Sequence, residues 1–132
     1  MPQILFTEEH FIGEDVMQVR LSENISSKFS SFKVGLCYVN VIFKRSGTDK
    51  ILVTSHSVSS YQTIDQWSII GSYFNDNPSS QHFLSESKNP QIFGELISRT
   101  KFDIKLLDAN FTPISVRDIQ HISICVVLLG KY

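Results

Sequence analysis

Alanine is almost missing from this 132-residue chain, Ala109 being the single one. Serine, isoleucine, phenylalanine and valine are abundant instead, which exchanges the best helix former for residues that fit a pleated, half-buried surface. A helical bundle is therefore not expected. No window approaches the length of a membrane span, and the start Met1-Pro-Gln-Ile-Leu-Phe-Thr-Glu-Glu lacks the positive residues and long apolar stretch of a secretory signal. The chain reads as one made in the cytosol.

Charge of one sign is lacking too. Twelve Lys and Arg stand against thirteen Asp and Glu, interspersed, for a net charge of −1. There is no broad basic footprint for a nucleic acid or an anionic membrane, so neither nucleic-acid binding nor membrane insertion is expected. Cysteine is sparse: Cys37 and Cys125 both fall in predicted strands, and without a signal peptide they read as free thiols in packed β-structure. Cys125, deep in an apolar strand, is expected to have a raised pKa and to be inert.

Reactive constellations are missing as well. The histidines at positions 10, 56, 82 and 121 form no short-spaced pair for a metal, and Asn75, Asp76 and Asn77 lack the acidic spacing of a calcium loop. No Gly-x-Ser-x-Gly elbow, no Cys-His grouping and no phosphate-cradling glycine loop is present. The paired acids have structural readings: Asp103 lies near Lys105 on an exposed face, and Asp108 opens a turn. No catalytic residue, metal or cofactor is assigned. Asn24-Ile-Ser and Asn110-Phe-Thr match the glycosylation pattern but read as ordinary turn residues.

What is present is β-structure. Phe102, Ile104 and Leu106 share one face while Asp103 and Lys105 share the other, and the reversal Asp108-Ala-Asn-Phe-Thr-Pro leads on to Ile122, Ile124, Val126 and Leu128 in phase. The opposite face of this last strand opens with His121, Ser123 and Cys125 and turns apolar at Val127 and Leu129, as in a central, well-covered strand. Ile104, Leu106, Ile124 and Val126 are expected as buried neighbours in adjacent antiparallel strands. Upstream, Ile4 to Phe6 is a short edge strand, and Met17, Val19 and Leu21 mark a half-buried one. The segment Ser26 to Ser31 is a loop. In the long strand that follows, Phe32, Val34, Leu36 and Tyr38 keep one phase and Val39, Val41 and Phe43 the other, so a bulge or bend lies between Leu36 and Val39.

The turn Arg45-Ser-Gly-Thr-Asp-Lys should join that strand to Ile51-Leu-Val-Thr in a hairpin. Ser55 to Tyr61 is a polar excursion, Gln66 to Ile70 a strand with Trp67 and Ile69 on one face, and Asn75 to Gln81 a surface loop. His82 to Ser85 is a short strand. Asn89 to Ser98 is either a helical turn capped by Asn89 or irregular chain. About eight short strands in a single domain over 1–132, separated by polar turns, make an all-β antiparallel β-sandwich of jelly-roll type.

Two features bear on partners. Tyr61, Trp67, Tyr73 and Phe74 cluster beside polar loops and would serve a recognition module as stacking platforms; the simpler reading makes Trp67 core and lets Tyr73 and Phe74 anchor a loop. Tyr73, Phe74, Asn75, Asp76 and Asn77 then form the candidate partner-contact loop. Val127 and Leu129 leave a second apolar face on the last strand, which a neighbouring subunit is expected to cover.

Three passages carry a family likeness. Val16-Met-Gln-Val-Arg-Leu-Ser-Glu-Asn-Ile with Phe32-Lys-Val-Gly-Leu-Cys-Tyr-Val-Asn-Val forms an opening, Phe102-Asp-Ile-Lys-Leu-Leu-Asp-Ala-Asn-Phe-Thr-Pro-Ile with Ile122-Ser-Ile-Cys-Val-Val-Leu forms a closing hairpin, and Trp67-Ser-Ile-Ile-Gly-Ser-Tyr lies between. In these the chain resembles capsid-associated jelly-roll proteins encoded by Polinton (Maverick) elements and related adenovirus-like or virophage-like viruses. Phe111 stands where that family usually has glycine, so the turn is expected to differ locally. The resemblance implies a non-enzymatic viral or virus-derived structural protein at a capsid vertex, spike or fibre. It would be a homo-oligomer, trimer or pentamer, docking to other capsid proteins or a host surface, in the virion or in the host cytoplasm or nucleus during assembly. The rival readings are a cellular β-sandwich recognition module, lectin-like or cytokine-like, and an enzyme with a loop-assembled site.

Overall fold

The computed structural model describes residues 3–21, 32–98 and 100–130, leaving aside the side chains of 87–91. The loop expected at Ser26 to Ser31 and the tripeptide at Asn24 lie outside them. Ten strands run in chain order among the described residues: β1 Gln3–Thr7, β2 Val16–Arg20, β3 Phe32–Phe43, β4 Lys50–Ser55, β5 Val58–Ser59, β6 Thr63–Ile64, β7 Trp67–Phe74, β8 His82–Leu96, β9 Lys101–Leu107 and β10 Ile119–Gly130. They form two five-stranded sheets, one ordered β1-β10-β3-β8-β5 and the other β2-β9-β4-β7-β6, with every pairing antiparallel. We call them sheet A and sheet B.

The order identifies the architecture. The first strand pairs with the last, β2 with β9, β3 with β8 and β4 with β7, which is a long antiparallel ribbon wrapped around a core, the strands alternating between the sheets from β1 to β6 and again from β7 to β10. That is a jelly roll. The same wrapping corrects two expected hairpins. The segment between β3 and β4 carries the chain from sheet A to sheet B, and the segment between β9 and β10 carries it back, so neither joins hydrogen-bonded neighbours. Turn residues in these places signalled a reversal of direction, which crossing between layers about 10 Å apart also requires.

Ile104, Leu106, Ile124 and Val126 are all buried. They face each other across the sandwich instead of along one sheet, since β9 lies in sheet B and β10 in sheet A. Phe6 and Phe102 make a similar bridge, their rings 5.8 Å apart and tilted by 57°. The phase change in β3 is a bulge: Leu36 pairs with Val126 and Tyr38 with Cys125, leaving Cys37 as the extra residue, and β3 stays in sheet A throughout.

The segment expected as a helical turn or irregular chain is strand, the second half of β8. Tertiary pairing overrides the Asn-Pro signal, and Pro90 falls where the register against β3 jumps from Glu86 to Gln91, a place with no ladder for a missing N–H to break. Gly94 is needed there for space. A Cβ on it would collide with the Ser59 carbonyl and with Val58 Cγ1 of β5. Gly94→Ala is expected to push β5 off the edge of sheet A and to lower stability by about 1 to 3 kcal/mol, measurable as a drop in the urea midpoint.

Among the described residues two turns hold side chains in the left-handed region. Asp65 and Gln66 join β6 to β7 with φ of 50° and 72°, a two-residue hairpin turn with both central residues at positive φ, as the twist of the flanking strands favours. Phe111 has φ 61°, a left-handed conformation that glycine adopts more readily than a residue with a Cβ. Asp108 fixes it, its Oδ1 accepting from Asn110 N at 2.8 Å and from Thr112 N at 3.0 Å. The Phe111 side chain is exposed. Phe111→Gly is therefore expected to stabilise the protein by about 1 kcal/mol through relief of strain, read as a higher melting temperature.

Candidate functional site

Three surfaces carry chemistry. One is the end of the sandwich where the loops after β1, β3, β7 and β9 meet. Residues 44–49, 75–81 and 108–118 lock together there through backbone bonds, Gly47 N to Pro78 O at 2.8 Å and Lys44 N to Asp118 O at 2.9 Å. A groove of about 520 Å³ runs beside them, lined by Lys44, Arg45, Arg117, Asp108 and Asp118 among others. Charges of both signs line it, and Arg117 already pairs with Glu14 at 2.5 Å.

The expected partner-contact loop reaches this end only in part. Tyr73 turns inward and packs against the core, where burial pushes its phenol up to about 12. Phe74 is exposed beneath Lys50, whose Nζ lies 5.1 Å from the ring centroid. Asn75 donates from Nδ2 to Thr48 O at 3.0 Å and accepts from Asn77 N at 3.0 Å, and Asn77 in turn accepts from Ser79 Oγ at 2.6 Å. The Asn side chains are thus occupied in building the turn, and Asp76 and Phe74 are what it presents.

On sheet B the structure revises the reading of Asp103. The expectation of an exposed residue near Lys105 followed from strand alternation, which does put Asp103 on the outer face. β4 and β9, however, pair only as far as Thr54 and Lys105, and the Asp103 carboxylate fills the gap beyond. It is 7% exposed. Its Oδ1 accepts from His56 N at 2.8 Å, Ser55 Oγ at 3.1 Å and Ser57 Oγ at 3.2 Å, while Asp103 N donates to Ser57 Oγ at 3.1 Å. The segment read as a polar excursion is in consequence buried in its first half at Ser55, Ser57 and Val58, while His56, Ser59 and Tyr61 stay exposed. The chemistry is that of a clamp. A nucleophilic serine would need the imidazole between hydroxyl and carboxylate, whereas here both hydroxyls bond the carboxylate directly and His56 Nδ1 stands 3.8 Å from Oδ2.

His56 instead stacks on Trp67, ring centroids 3.5 Å apart and planes 27° from parallel, and Lys105 Nζ sits 4.3 Å from the Trp67 centroid. Trp67 does not belong to the core. It lies with Ile69 on the outer face of sheet B, because Ser68 and Ile70 take the inner positions. A histidine ring and an ammonium group already cover it, so it offers little open stacking surface. Tyr61, which is fully exposed, lies elsewhere, beside an open cleft of about 490 Å³ with Lys33, Ile92 and Glu95 in its lining. The four aromatics that cluster in the sequence point to four different environments.

The outer face of sheet A is the third surface. Cross-strand register aligns Leu5, Cys125, Tyr38 and Glu86 in one row and Ser123, Asn40 and Leu84 in the next. Ile92 continues it beyond Val127 and Gly35. Val127 was expected to be covered only in an assembly, yet it is 1% exposed in the single chain, and Leu129 is half-buried. The apolar residues that remain open on this face are Leu5, Leu84 and Ile92, each about half exposed at 48%, 50% and 51%.

Among the described residues no three His, Cys, Asp or Glu side chains gather in a metal-holding group, and no helix is long and apolar enough to cross a membrane. No family model, no curated protein and no solved structure matches the chain.

Proposed function

We propose that this jelly roll is a structural protein that works by self-association, as a viral or virus-derived shell component of vertex, spike or fibre type. The observation that carries the reading is the ribbon-wrapped strand order, an arrangement that shell-building proteins use to present rigid faces for lateral contact. The outer face of sheet A supports it, since Leu5, Leu84 and Ile92 expose branched aliphatic side chains on a rigid sheet. The loop end, with Phe74 and Asp76 outward, then contacts other shell proteins or a host surface.

The test is the double substitution Leu84→Lys with Ile92→Lys. Both side chains are half in solvent, so the variant should fold with an unchanged circular dichroism spectrum, while an interface of more than about 1,000 Å² loses two central contacts. The variant is expected to be monomeric where the parent is trimeric or pentameric. An oligomer that survives both lysines moves the interface off this face. A parent that is monomeric and binds glycans supports the recognition-module reading instead.

A further inference from the structure

Cys37 and Cys125 meet on adjacent strands. Cys37 is the bulged residue of β3, set between the pairs Tyr38 with Cys125 and Leu36 with Val126. A bulge sets two residues of one strand against one of its partner, so Cys37 shares with Tyr38 the place opposite Cys125. Strands about 4.7 to 4.9 Å apart bring the two backbones within the roughly 4.4 to 6.8 Å that a disulfide spans between Cα atoms. The bulge turns a register mismatch into a meeting of two thiols, and after burial Cys37 is one of the causes that push the Cys125 thiol up. Both are free, Cys37 half-buried and Cys125 buried.

We propose that Cys37 and Cys125 form a cross-strand dithiol that closes to a disulfide by exchange with a small-molecule disulfide, locking β3 to β10 at the bulge. Cys37, the accessible thiol, loses its proton and attacks one sulfur of the small disulfide. A mixed disulfide forms and the first small thiolate leaves, taking up a proton. Cys125 then loses its proton and attacks the Cys37 sulfur, expelling the second small thiol. Two electrons pass from the protein thiols to the small disulfide, which ends as two thiols. Burial first, and the neighbouring Cys37 second, push the Cys125 thiol up to about 11, so ring closure is the slow step and should quicken as pH rises toward that value.

The lock ties the two strands that hold the centre of sheet A, leaving the protein open while reduced and fixed once it reaches an oxidising surrounding. The experiment is incubation of the native, reduced protein with glutathione disulfide, followed by alkylation and mass spectrometry. The expected product is lighter by about 2 Da, has a Cys37–Cys125 linked peptide and melts at a higher temperature than the reduced protein. Cys125→Ser should stall as a glutathione adduct on Cys37, and Cys37→Ser should leave Cys125 unmodified. The proposal is overturned if the parent itself stalls as the adduct, links two chains through Cys37, or reacts only after denaturation.

Discussion

Asp103→Ala is expected to destabilise the protein by roughly 3 kcal/mol, because it leaves two buried hydroxyls and one backbone N–H without the carboxylate that accepts from them. The loss is larger than that of a surface acid because the carboxylate is buried and ties β9 to the segment that follows β4. Past Thr54 and Lys105 the ladder between β4 and β9 is made of side-chain bonds, and β5 hangs from the segment they anchor. Asp103→Asn keeps an acceptor oxygen of the same reach and should lose less than Asp103→Ala. Urea unfolding of the three proteins gives the comparison. Equal midpoints for parent and alanine variant would falsify the clamp.

Phe102→Ala should be the costliest single change, at about 3 to 5 kcal/mol. Its ring is fully buried in β9 and touches Phe6 from the opposite sheet, so its removal opens a cavity between the layers. Neighbouring strands are held by their hydrogen bonds and cannot collapse into the space. Phe111→Ala is the control, an exposed phenylalanine on the loop that follows the same strand. Thermal unfolding should separate the two plainly, and near-equal effects would mean that the sheets do not meet at Phe102.

Where sequence and structure agree, the signal was local. Alternation of apolar residues placed the long strands, and the phase slip between Leu36 and Val39 located the bulge, because side-chain period is a property of one strand. What alternation does not encode is which strand lies alongside. The reversals after Phe43 and Leu107 look like hairpin turns, and only the wrap of the whole ribbon sends their strands to opposite sheets. The same gap hid the clamp. Asp103 alternates correctly with Phe102 and Ile104, and its burial depends on Ser55 and Ser57, nearly fifty positions away. A possible signal was there: an acid inside an apolar strand, with a hydroxyl-rich segment elsewhere to satisfy it. Trp67 was misplaced for a related reason, since an aromatic in a strand is equally at home on an outer face when a cation and an imidazole cover it. Val127 shows the converse, an apolar residue on the outer face that the chain itself buries.

The account rests on self-association, and light scattering on the eluting peak of a size-exclusion column measures it directly. Across a dilution series of the reduced protein the mass should hold at three or five chains before falling at low concentration. A mass of one chain at every concentration would contradict the account, leaving a jelly roll whose open face on sheet A serves something other than its own copies.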